Sequence, residues 1–343
     1  MFKAVKFELS QAPQRYWDFV CKYGTLYQSR PYLEYYAASG NRSFVIVVFD
    51  GDEIVGGSGI TVMRRIFNLP ITAQTYFGPA VSDKQVFTEV IKCIAESMKK
   101  TSLVFSILIH PDFADLLDND KEFLGWQRTP QTFLFWDISG SLESLWKQLP
   151  KGKQAAINRA RREGVILQEI ETIEHVRQFQ TVYAQSQVRG GRTPTPQRYF
   201  ENMITVMKPQ GLATGFVALH PQSRQPIAGV MLQLSWYGTA SYFSVGHNYE
   251  FRQFGATDFL MWHCLEYLKE RGYTMFDLMG LPQGDSERAK GIRHFKTTWA
   301  GNNGHIRKTY TISYGNFGLN PGFLRKVFRV TKNIVQLPFK LFK

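Results

Sequence analysis

An internal repeat constrains the fold of this chain more than any other feature of its sequence. Phe44–Phe49 is aromatic and β-branched, ends at the turn residues 50–52, and is followed by Ile54–Val62, a second run of strand character. The same layout returns at Gly215–Leu219 and Ile227–Leu234, on either side of a longer turn. Each pair of runs predicts an antiparallel β-hairpin.

The repeat continues beyond both hairpins into a helix and a further strand. Apolar residues at helical spacing over 82–100 lead into the strand-like Ser102–Ser106, and those over 258–271 lead into Thr274–Asp277. Corresponding positions lie 173 or 172 residues apart, as in the pairs Gly56 with Gly229 and Val104 with Phe276. A nearly constant offset across a hairpin, a helix and a strand indicates two copies of one α/β unit.

The order of elements in each copy is antiparallel hairpin, further strand, helix and strand, and it resembles the GNAT acyltransferase fold. We therefore predict an α/β (α+β) protein with two tandem GNAT-like acyltransferase domains related by internal duplication. The predicted boundaries are 1–145 for the first domain, 146–318 for the second, which carries the transfer site, and 319–343 for a basic amphipathic C-terminal tail.

Composition and length exclude several other classes of protein. A chain of 343 residues with 44% hydrophobic residues has ample material for a core, which excludes a disordered chain. No signal-peptide pattern and no apolar run of about 18–20 residues is visible, so we expect a cytoplasmic protein. The three widely spaced cysteines predict no disulfide framework, and the seven histidines show no metal-binding spacing, so no metal is expected.

The net charge of +13 is concentrated in two segments that contain no acidic residue, Trp146–Arg162 and Phe323–Lys343. Such segments favour polyanionic partners. The first is either a solvated helix or a track for tRNA phosphates, and the second is either a docked terminal helix or a contact with an anionic membrane face.

The segment Arg252–Thr257 partly matches the loop with which GNAT enzymes hold the pyrophosphate of coenzyme A, [QR]-x-x-G-x-[GA]. Its last position is Thr257 instead of Gly or Ala, and the first copy has no such loop. We therefore predict a GNAT fold without its cofactor grip, and no cofactor. An acyl-coenzyme A N-acyltransferase stays as the alternative.

Two C-terminal motifs resemble the signature of the FemABX family of peptidoglycan aminoacyltransferases. Gly272–Gly280 is similar to the family's G-x-x-x-y-D-f-x-G, and Gly291–Gly301 is similar to its g-x-x-x-F-K-x-x-F-G-G. Gln28-Ser29, Tyr76–Ala80 and the basic segment after Leu145 fit as well. The second domain has no inserted coiled-coil arm, so the chain resembles the short members.

This resemblance implies transfer of an amino acid from aminoacyl-tRNA, used as co-substrate, to the stem-peptide amine of a peptidoglycan precursor. The acceptor would be a UDP-linked or lipid-linked muramyl pentapeptide, the process cell-wall biogenesis and maintenance of cell shape, and the place the cytoplasm or the inner membrane face. Aminolysis of an ester requires a positioned amine and a stabilised oxyanion, and the sequence shows no Ser-His-Asp or Cys-His triad.

The resemblance also assigns site residues. Lys296 matches the lysine that polarises the aminoacyl ester, Phe295 would pack the cleft wall, and Tyr242 matches a tyrosine near the acceptor peptide. Asp277 would order the site or cap its strand. Contacts to the phosphates or the peptide of the acceptor are implied for Arg192, Thr193, Arg198 and Tyr199. The alternatives are that Lys296 is a surface lysine, that Tyr242 is a core residue, and that the segment 190–200 is a proline-stiffened loop with solvated arginines.

Three positions depart from the family pattern. Ser244 stands where a second tyrosine is common, Tyr36 where short members carry a lysine for the diphosphate, and His110 where an acidic residue is commoner. We therefore expect the acceptor site of the first domain to differ. A third hypothesis is a non-catalytic basic protein that keeps the fold and binds RNA or a membrane.

Overall fold

The computed structural model describes residues 2–66, 69–99, 101–118 and 126–315. The chain forms two compact units: unit 1 comprises 1–130 and 309–343, and unit 2 comprises 131–308.

The unit boundaries lie at residues 130 and 308, and not at the predicted 145 and 318. Residues Phe133–Asp137 belong to unit 2 because they pair with Met275–Gly280 of that unit. Thr311–Gly315 belong to unit 1 because they pair with Val104–Leu108. The predicted tail, 319–343, lies outside the described residues.

Unit 1 is a sheet with helices against it. Its elements are β1 (Phe2–Glu8), α1 (Gln14–Tyr23), α2 (Arg30–Ala38), β2 (Arg42–Asp50), β3 (Glu53–Ile66), β4 (Leu69–Tyr76), β5 (Ala80–Val81), α3 (Phe87–Met98), β6 (Val104–Leu108) and α4 (Asp115–Asp118). Strands β1 to β4 are antiparallel neighbours, and β4 pairs with β6 in parallel. The last part of β13 (Gly304–Gly315) pairs with the other edge of β6.

Apolar burial explains why these segments form. The seven residues between the ends of β2 are all buried, which fits a strand covered on both faces. The buried residues of α3 include Val90, Ile91, Ile94 and Met98, whose spacing aligns them on one face. Each fully buried side chain of this kind contributes about 1.5–3 kcal/mol of transfer free energy.

Unit 2 repeats this plan. Its elements are β7 (Gln127–Asp137), α5 (Leu142–Gln148), α6 (Lys151–Arg162), β8 (Ile166–Glu169), α7 (Ile173–Arg189), α8 (Gln197–Asn202), β9 (Ala213–Leu219), β10 (Pro226–Leu234), β11 (Thr239–His247), α9 (Ala256–Glu270), β12 (Met275–Gly280), α10 (Glu287–Ala300) and the first part of β13. The strand order is β7-β12-β11-β10-β9-β8, and β11 with β12 is its parallel pair. The predicted hairpins, helices and following strands are thus confirmed in both copies.

The two parallel strands of unit 2 stay together only briefly. Thr239–Ser241 of β11 pairs with Met275–Asp277 of β12, and the pairing ends there. The register of β12 against β7 shifts between Asp277 and Gly280, and Met279 adopts a left-handed conformation with a φ of 65°. The bend in β12 leaves the ends of both strands free to line a cavity.

None of the described helices is both long enough and apolar enough to cross a membrane.

Candidate active site

A cavity of about 860 Å³ lies in unit 2, where the pairing of β11 and β12 ends. Its walls come from the C-terminal half of α7, the end of β11, the segment after β12, and one face of α10. Lining residues from the strand ends are Tyr242, Phe243, Ser244, Val245, His247, Met279, Gly280 and Leu281. The helices contribute Tyr183, Gln187 and Arg189 from α7, Thr257 from the start of α9, and Arg288, Ile292, Phe295 and Lys296 from α10.

Lys296 is the lysine of the predicted motif, and it lines this cavity from α10. Its Nζ donates a hydrogen bond to the carbonyl oxygen of Gly280 at 2.8 Å. Burial lowers the pKa of Lys296 to about 8, although the negative charge of Asp277 acts in the opposite direction. The lysine therefore carries a proton at neutral pH and can give it up slightly above neutrality.

Asp277 stands behind the cavity wall. Its side chain is 3% exposed, and Oδ1 accepts the backbone N–H of Met279 at 2.7 Å. Burial raises the pKa of Asp277 to about 7, opposed by the bond from Met279 and by the charge of Lys296. By holding the left-handed Met279, Asp277 fixes the turn from which the carbonyl of Gly280 reaches Lys296.

The loop before α10 is tied to the same helix. Arg293 donates to the carbonyl oxygens of Pro282 at 2.8 Å and Gly284 at 2.7 Å. At the start of α10, the Ser286 hydroxyl accepts the N–H of Ala289 at 3.2 Å, which satisfies one free N–H of the first turn. The helix that carries Lys296 is thus anchored at its beginning and along its length.

The ionisable charge along the cavity is positive. Its charged lining residues are Arg189, Arg192, Arg288 and Lys296, and none of the described lining residues is acidic. Arg288 donates to the carbonyl oxygen of Gly190, and it lies close enough to Arg192 to lower the pKa of that guanidinium, an effect second to burial. Like charges collected in one cavity favour an anionic ligand.

A neutral histidine, His247, orients the side chain of Arg189, which is one of the four cations that line the cavity. Nε2 of His247 lies 2.8 Å from Nη2 of Arg189. Burial and the charge of Arg189 both lower the pKa of His247, so the imidazole is neutral at pH 7 and Nε2 accepts from the guanidinium.

The structure brings together four of the eight residues that the sequence assigns to the site. Lys296, Phe295, Tyr242 and Arg192 all line the cavity. Tyr242 is 6% exposed, and burial raises the pKa of its hydroxyl well above the usual value. The other four, Thr193, Arg198, Tyr199 and Asp277, are not among the lining residues.

The proline-rich segment holds three of these four. Thr193 and Arg198 are exposed, and the Arg198 guanidinium lies 5.6 Å from the ring centre of Tyr199. Their predicted contacts with the acceptor therefore stay predictions, since these side chains lie outside the cavity.

Sequence reasoning missed Arg189, Arg288 and His247. Helical spacing carries a signal for Arg288, because Gly291, Ile292 and Phe295 follow it by three, four and seven residues and so share one face of α10. His247 and Arg189 are brought together by tertiary packing and leave no such pattern.

The Arg252–Thr257 loop reaches the cavity at Thr257 and packs against α6 at Gly255. Tyr249–Phe254 forms a 3₁₀ helix, and the N–H of Gly255 donates to the carbonyl of Arg252 at 3.2 Å. Gly255 has a φ of 67°, and a Cβ atom there would lie 2.5 Å from the carbonyl oxygen of Ala156 in α6. Arg159 of α6 also donates to the carbonyl of Gln253 at 3.1 Å. Helix α6 therefore contacts Gly255 and the Gln253 carbonyl, whereas the side chains of Arg252 and Gln253 are exposed.

Helix α6 also supports α10. Lys153 Nζ lies 2.7 Å from Oδ1 of Asp258 and 4.6 Å from the ring centre of Phe295. The same carboxyl oxygen of Asp258 accepts from Nε1 of Trp299 at 3.2 Å. Because Lys153 has these partners, phosphate contacts by the basic segment 146–162 would have to come from its exposed residues. These include Lys151 and Arg162.

Residues 151–297 match the family of acetyltransferase (GNAT) domains. Unit 2 therefore contains an acyltransferase domain, as the repeat predicted. No curated protein matches the chain.

Solved structures resemble the whole chain. The crystal structure of FemX has a TM-score of 0.70 at 16% identity, with 94% of this chain and 99% of that chain covered. The structure of L-PGS from Bacillus licheniformis has a TM-score of 0.56 at 17% identity, with coverages of 95% and 97%. A tandem GNAT protein from the clavulanic acid biosynthesis pathway has a TM-score of 0.54 at 12% identity, with coverages of 92% and 98%. The predicted tandem GNAT-like fold is confirmed, and it is similar to the fold of FemX.

Proposed function

We propose that the protein is an aminoacyltransferase that moves an amino acid from aminoacyl-tRNA to the stem-peptide amine of a peptidoglycan precursor, in the formation of cell-wall cross-bridges. One observation carries the proposal: Lys296, the lysine of the FemABX-like motif, lies in a cavity whose charged lining residues are all cations. The FemX-like fold supports the same function.

The reaction is the aminolysis of an ester. The amine nitrogen of the acceptor attacks the carbonyl carbon of the aminoacyl ester, and a tetrahedral oxyanion forms. The C–O bond to the ribose then breaks, an amide bond remains, and the proton lost by the amine goes to the ribose oxygen. The protein's task is to align the two substrates and to stabilise the oxyanion.

Lys296 is suited to that second task. Its ammonium group is fixed by the Gly280 carbonyl at 2.8 Å and still has two N–H groups to donate. A positive donor in a partly buried site stabilises a developing oxyanion more strongly than in water. Because the pKa of Lys296 is about 8, the same side chain can also exchange a proton with the reacting groups near neutral pH.

Arg192 and Arg288 are suited to the acceptor. A UDP-linked or lipid-linked muramyl pentapeptide carries a diphosphate, and guanidinium groups bind phosphate oxygens in pairs. The two arginines lie close together in the cavity lining. Thr193, Arg198 and Tyr199, on the adjoining segment, are proposed to contact the acceptor outside the cavity.

We propose that the acyl donor is aminoacyl-tRNA and not acyl-coenzyme A. The support is the loop before α9, where Gly255 is pressed against the carbonyl of Ala156. An acyl-coenzyme A enzyme would need this backbone open to a pyrophosphate.

The test combines purified protein, tRNA charged with labelled amino acids, and muramyl-pentapeptide acceptors in nucleotide-linked and lipid-linked forms. We expect label in an acceptor, and its loss when the tRNA is treated with RNase beforehand. Transfer from acyl-coenzyme A to an amine, with none from charged tRNA, would contradict the proposal and support the alternative enzyme. Binding of RNA or membranes without any transfer would support the non-catalytic hypothesis.

A peripheral contact with the inner membrane face is also proposed, from the composition of residues 319–343. The measurement is co-sedimentation with anionic and with neutral lipid vesicles. Binding to the anionic vesicles alone is expected, and equal binding to both or to neither would contradict it.

A further inference from the structure

An exposed tyrosine lies beside two arginines near the end of β11. The ring of Tyr249 is 53% exposed. The guanidinium of Arg252 lies 4.4 Å from the ring centre, and that of Arg189 lies 5.3 Å from it. These three residues are called the Tyr249 platform below.

The platform adjoins the cavity that contains Lys296. Arg189 is itself a lining residue, and so is His247, whose Nε2 holds the Arg189 guanidinium at 2.8 Å. Tyr249 follows His247 by two residues and begins the 3₁₀ helix Tyr249–Phe254. A ligand on the Tyr249 ring therefore lies next to the residues that line the cavity.

The cations of the platform have no acidic partner. Within the described parts of the chain, neither Arg189 nor Arg252 forms an ion pair with a carboxylate; their partners are His247, Ser186 and Tyr249. Arg271, also in unit 2, differs from these arginines because it has a carboxylate partner. It lies 3.6 Å from the ring centre of Tyr267 and 3.7 Å from a carboxyl oxygen of Glu270. The positive charge of the platform is thus left for an anion.

We infer that the Tyr249 platform binds the single-stranded end of the RNA that delivers the amino acid. A base stacks on the ring of Tyr249, and the phosphates on either side of it contact Arg189 and Arg252. An exposed aromatic ring combined with backbone-binding cations is the usual arrangement for single-stranded nucleic acids. This inference rests on the proposed function and names the surface by which the donor approaches the site.

Single-stranded RNA fits better than the other anions of the reaction. The bases of a duplex are stacked inside it and cannot reach an exposed ring. A diphosphate alone would use arginines and would leave the tyrosine without a role. Coenzyme A carries a base and phosphates, but Gly255, in the loop that would hold its pyrophosphate, is packed against Ala156.

The first experiment measures the affinity of the full chain for a short single-stranded oligoribonucleotide and for aminoacyl-tRNA. Tyr249→Ala is expected to weaken both by about 5- to 100-fold, the usual range when one stacked base loses its aromatic partner. Tyr249→Phe keeps the ring and is expected to bind as the wild type does. Tyr237→Ala is the matched control, because Tyr237 is 49% exposed in the same unit and does not line the cavity.

The second experiment tests the cations by salt titration. Arg189→Ala and Arg252→Ala are each expected to reduce the slope of log K against log salt by about 0.7 for every phosphate that the variant no longer neutralises. Arg271→Ala, from the ion-paired Arg–Tyr pair, should leave the slope unchanged. In Tyr249→Ala the KM for the muramyl acceptor should stay constant while the KM for aminoacyl-tRNA rises, and in Tyr249→Phe both should match the wild type.

Unchanged RNA affinity in Tyr249→Ala, or a rise confined to the acceptor KM, would overturn the inference. Competition by coenzyme A for the wild-type platform, abolished in Tyr249→Ala, would also overturn it. The two proposals fail separately. RNA binding through Tyr249 without transfer by the wild type would reject the proposed function alone. Transfer with an unaltered RNA affinity in Tyr249→Ala would reject the platform alone.

Discussion

The two copies of the repeat differ at one pair of parallel strands. In unit 1, β4 and β6 pair through five consecutive positions, from Thr72 with Val104 to Tyr76 with Leu108. In unit 2, β11 and β12 pair through three positions and then separate around a cavity. The same plan therefore forms a continuous strand pair in one copy and the wall of a cavity in the other. The two copies differ in the number of positions over which this pair of parallel strands stays hydrogen-bonded.

Different side chains produce the two outcomes. In unit 1 the buried amide of Gln28 accepts from the N–H of Gly59 at 2.8 Å and donates to the Thr75 hydroxyl at 3.2 Å, which fastens the segment before α2 to β3 and β4. In unit 2 the buried Asp277 holds Met279 in the turn that bends β12 away. In unit 1 a buried polar group thus ties β3 and β4 to a neighbouring segment, and in unit 2 a buried polar group holds the turn that bends β12.

The largest expected effect comes from removing Lys296, the cation that α10 contributes to the cavity of unit 2. Lys296→Ala should reduce kcat for aminoacyl transfer by about 10²–10³, the usual loss for one oxyanion donor. Lys290→Ala is the control, because Lys290 lies on the same helix in an exposed pair with Glu287. Equal kcat values for wild type and Lys296→Ala in the transfer assay would show that the chemistry lies elsewhere.

Removing the buried amide of Gln28 in unit 1 should lower the free energy of unfolding and leave the rate of transfer unchanged. Gln28→Leu leaves the buried N–H of Gly59 without its acceptor, so the free energy of unfolding should fall by about 2–4 kcal/mol. Chemical denaturation measures this loss, and Gln85→Leu, at an exposed position of unit 1, is the control. A loss of kcat in Gln28→Leu that is still folded would mean that unit 1 takes part in the reaction.

The third prediction concerns the positive charge that lines the cavity of unit 2. Arg288→Ala should raise the KM for the phosphate-bearing acceptor about tenfold and leave kcat nearly unchanged, because a charged hydrogen bond contributes about 1.5–3 kcal/mol. Steady-state kinetics with varied acceptor give both constants. Arg177→Ala is the control, since Arg177 is exposed and paired with Glu174 on α7. A fall in kcat at constant KM would assign Arg288 to the chemical step instead.

The last prediction is a pH dependence of stability. Since burial raises the pKa of Asp277 from 3.8 to about 7, the folded protein binds more protons than the unfolded chain between these values. This contribution to stability is present below about pH 4 and is lost as the pH rises through 7. Asp277→Asn lacks it, so the difference in free energy of unfolding, variant minus wild type, should increase with pH by at most about 1.4 kcal/mol per unit.

Denaturation at several pH values between 4.5 and 7.5 measures that difference. Asp18→Asn, at an exposed position, controls for the loss of one carboxyl group. A difference for Asp277→Asn that stays constant over this range would mean that the carboxyl is ionised in the folded protein throughout.

Local patterns predicted the repeated elements and the motif lysine. The apolar strand at Phe44–Phe49 and the helix over 258–271 are visible in short windows, and Lys296 stands in a motif of adjacent residues. The boundary was misplaced because β7 and β13 each divide between the units, and strand partners distant in sequence decide where a strand belongs.

The remaining site residues depend on contacts between segments that are far apart in the chain. Arg189 and His247 are 58 residues apart, and only the packing of α7 on β11 makes them neighbours. That packing needs Gly246, where a Cβ atom would lie 2.3 Å from the α-carbon of Tyr183. A single sequence shows the glycine but not the helix that lies against it.

Unit 1 is assembled from two separate stretches of chain, and this affects how the protein is made. While a ribosome synthesises the chain, β6 emerges about two hundred residues before Thr311–Gly315, the segment that pairs with its second edge. Unit 2 is one continuous stretch and can complete its sheet first. The nascent protein therefore passes through a period in which β6 has an unpaired edge, which is open to wrong partners until the last strand arrives.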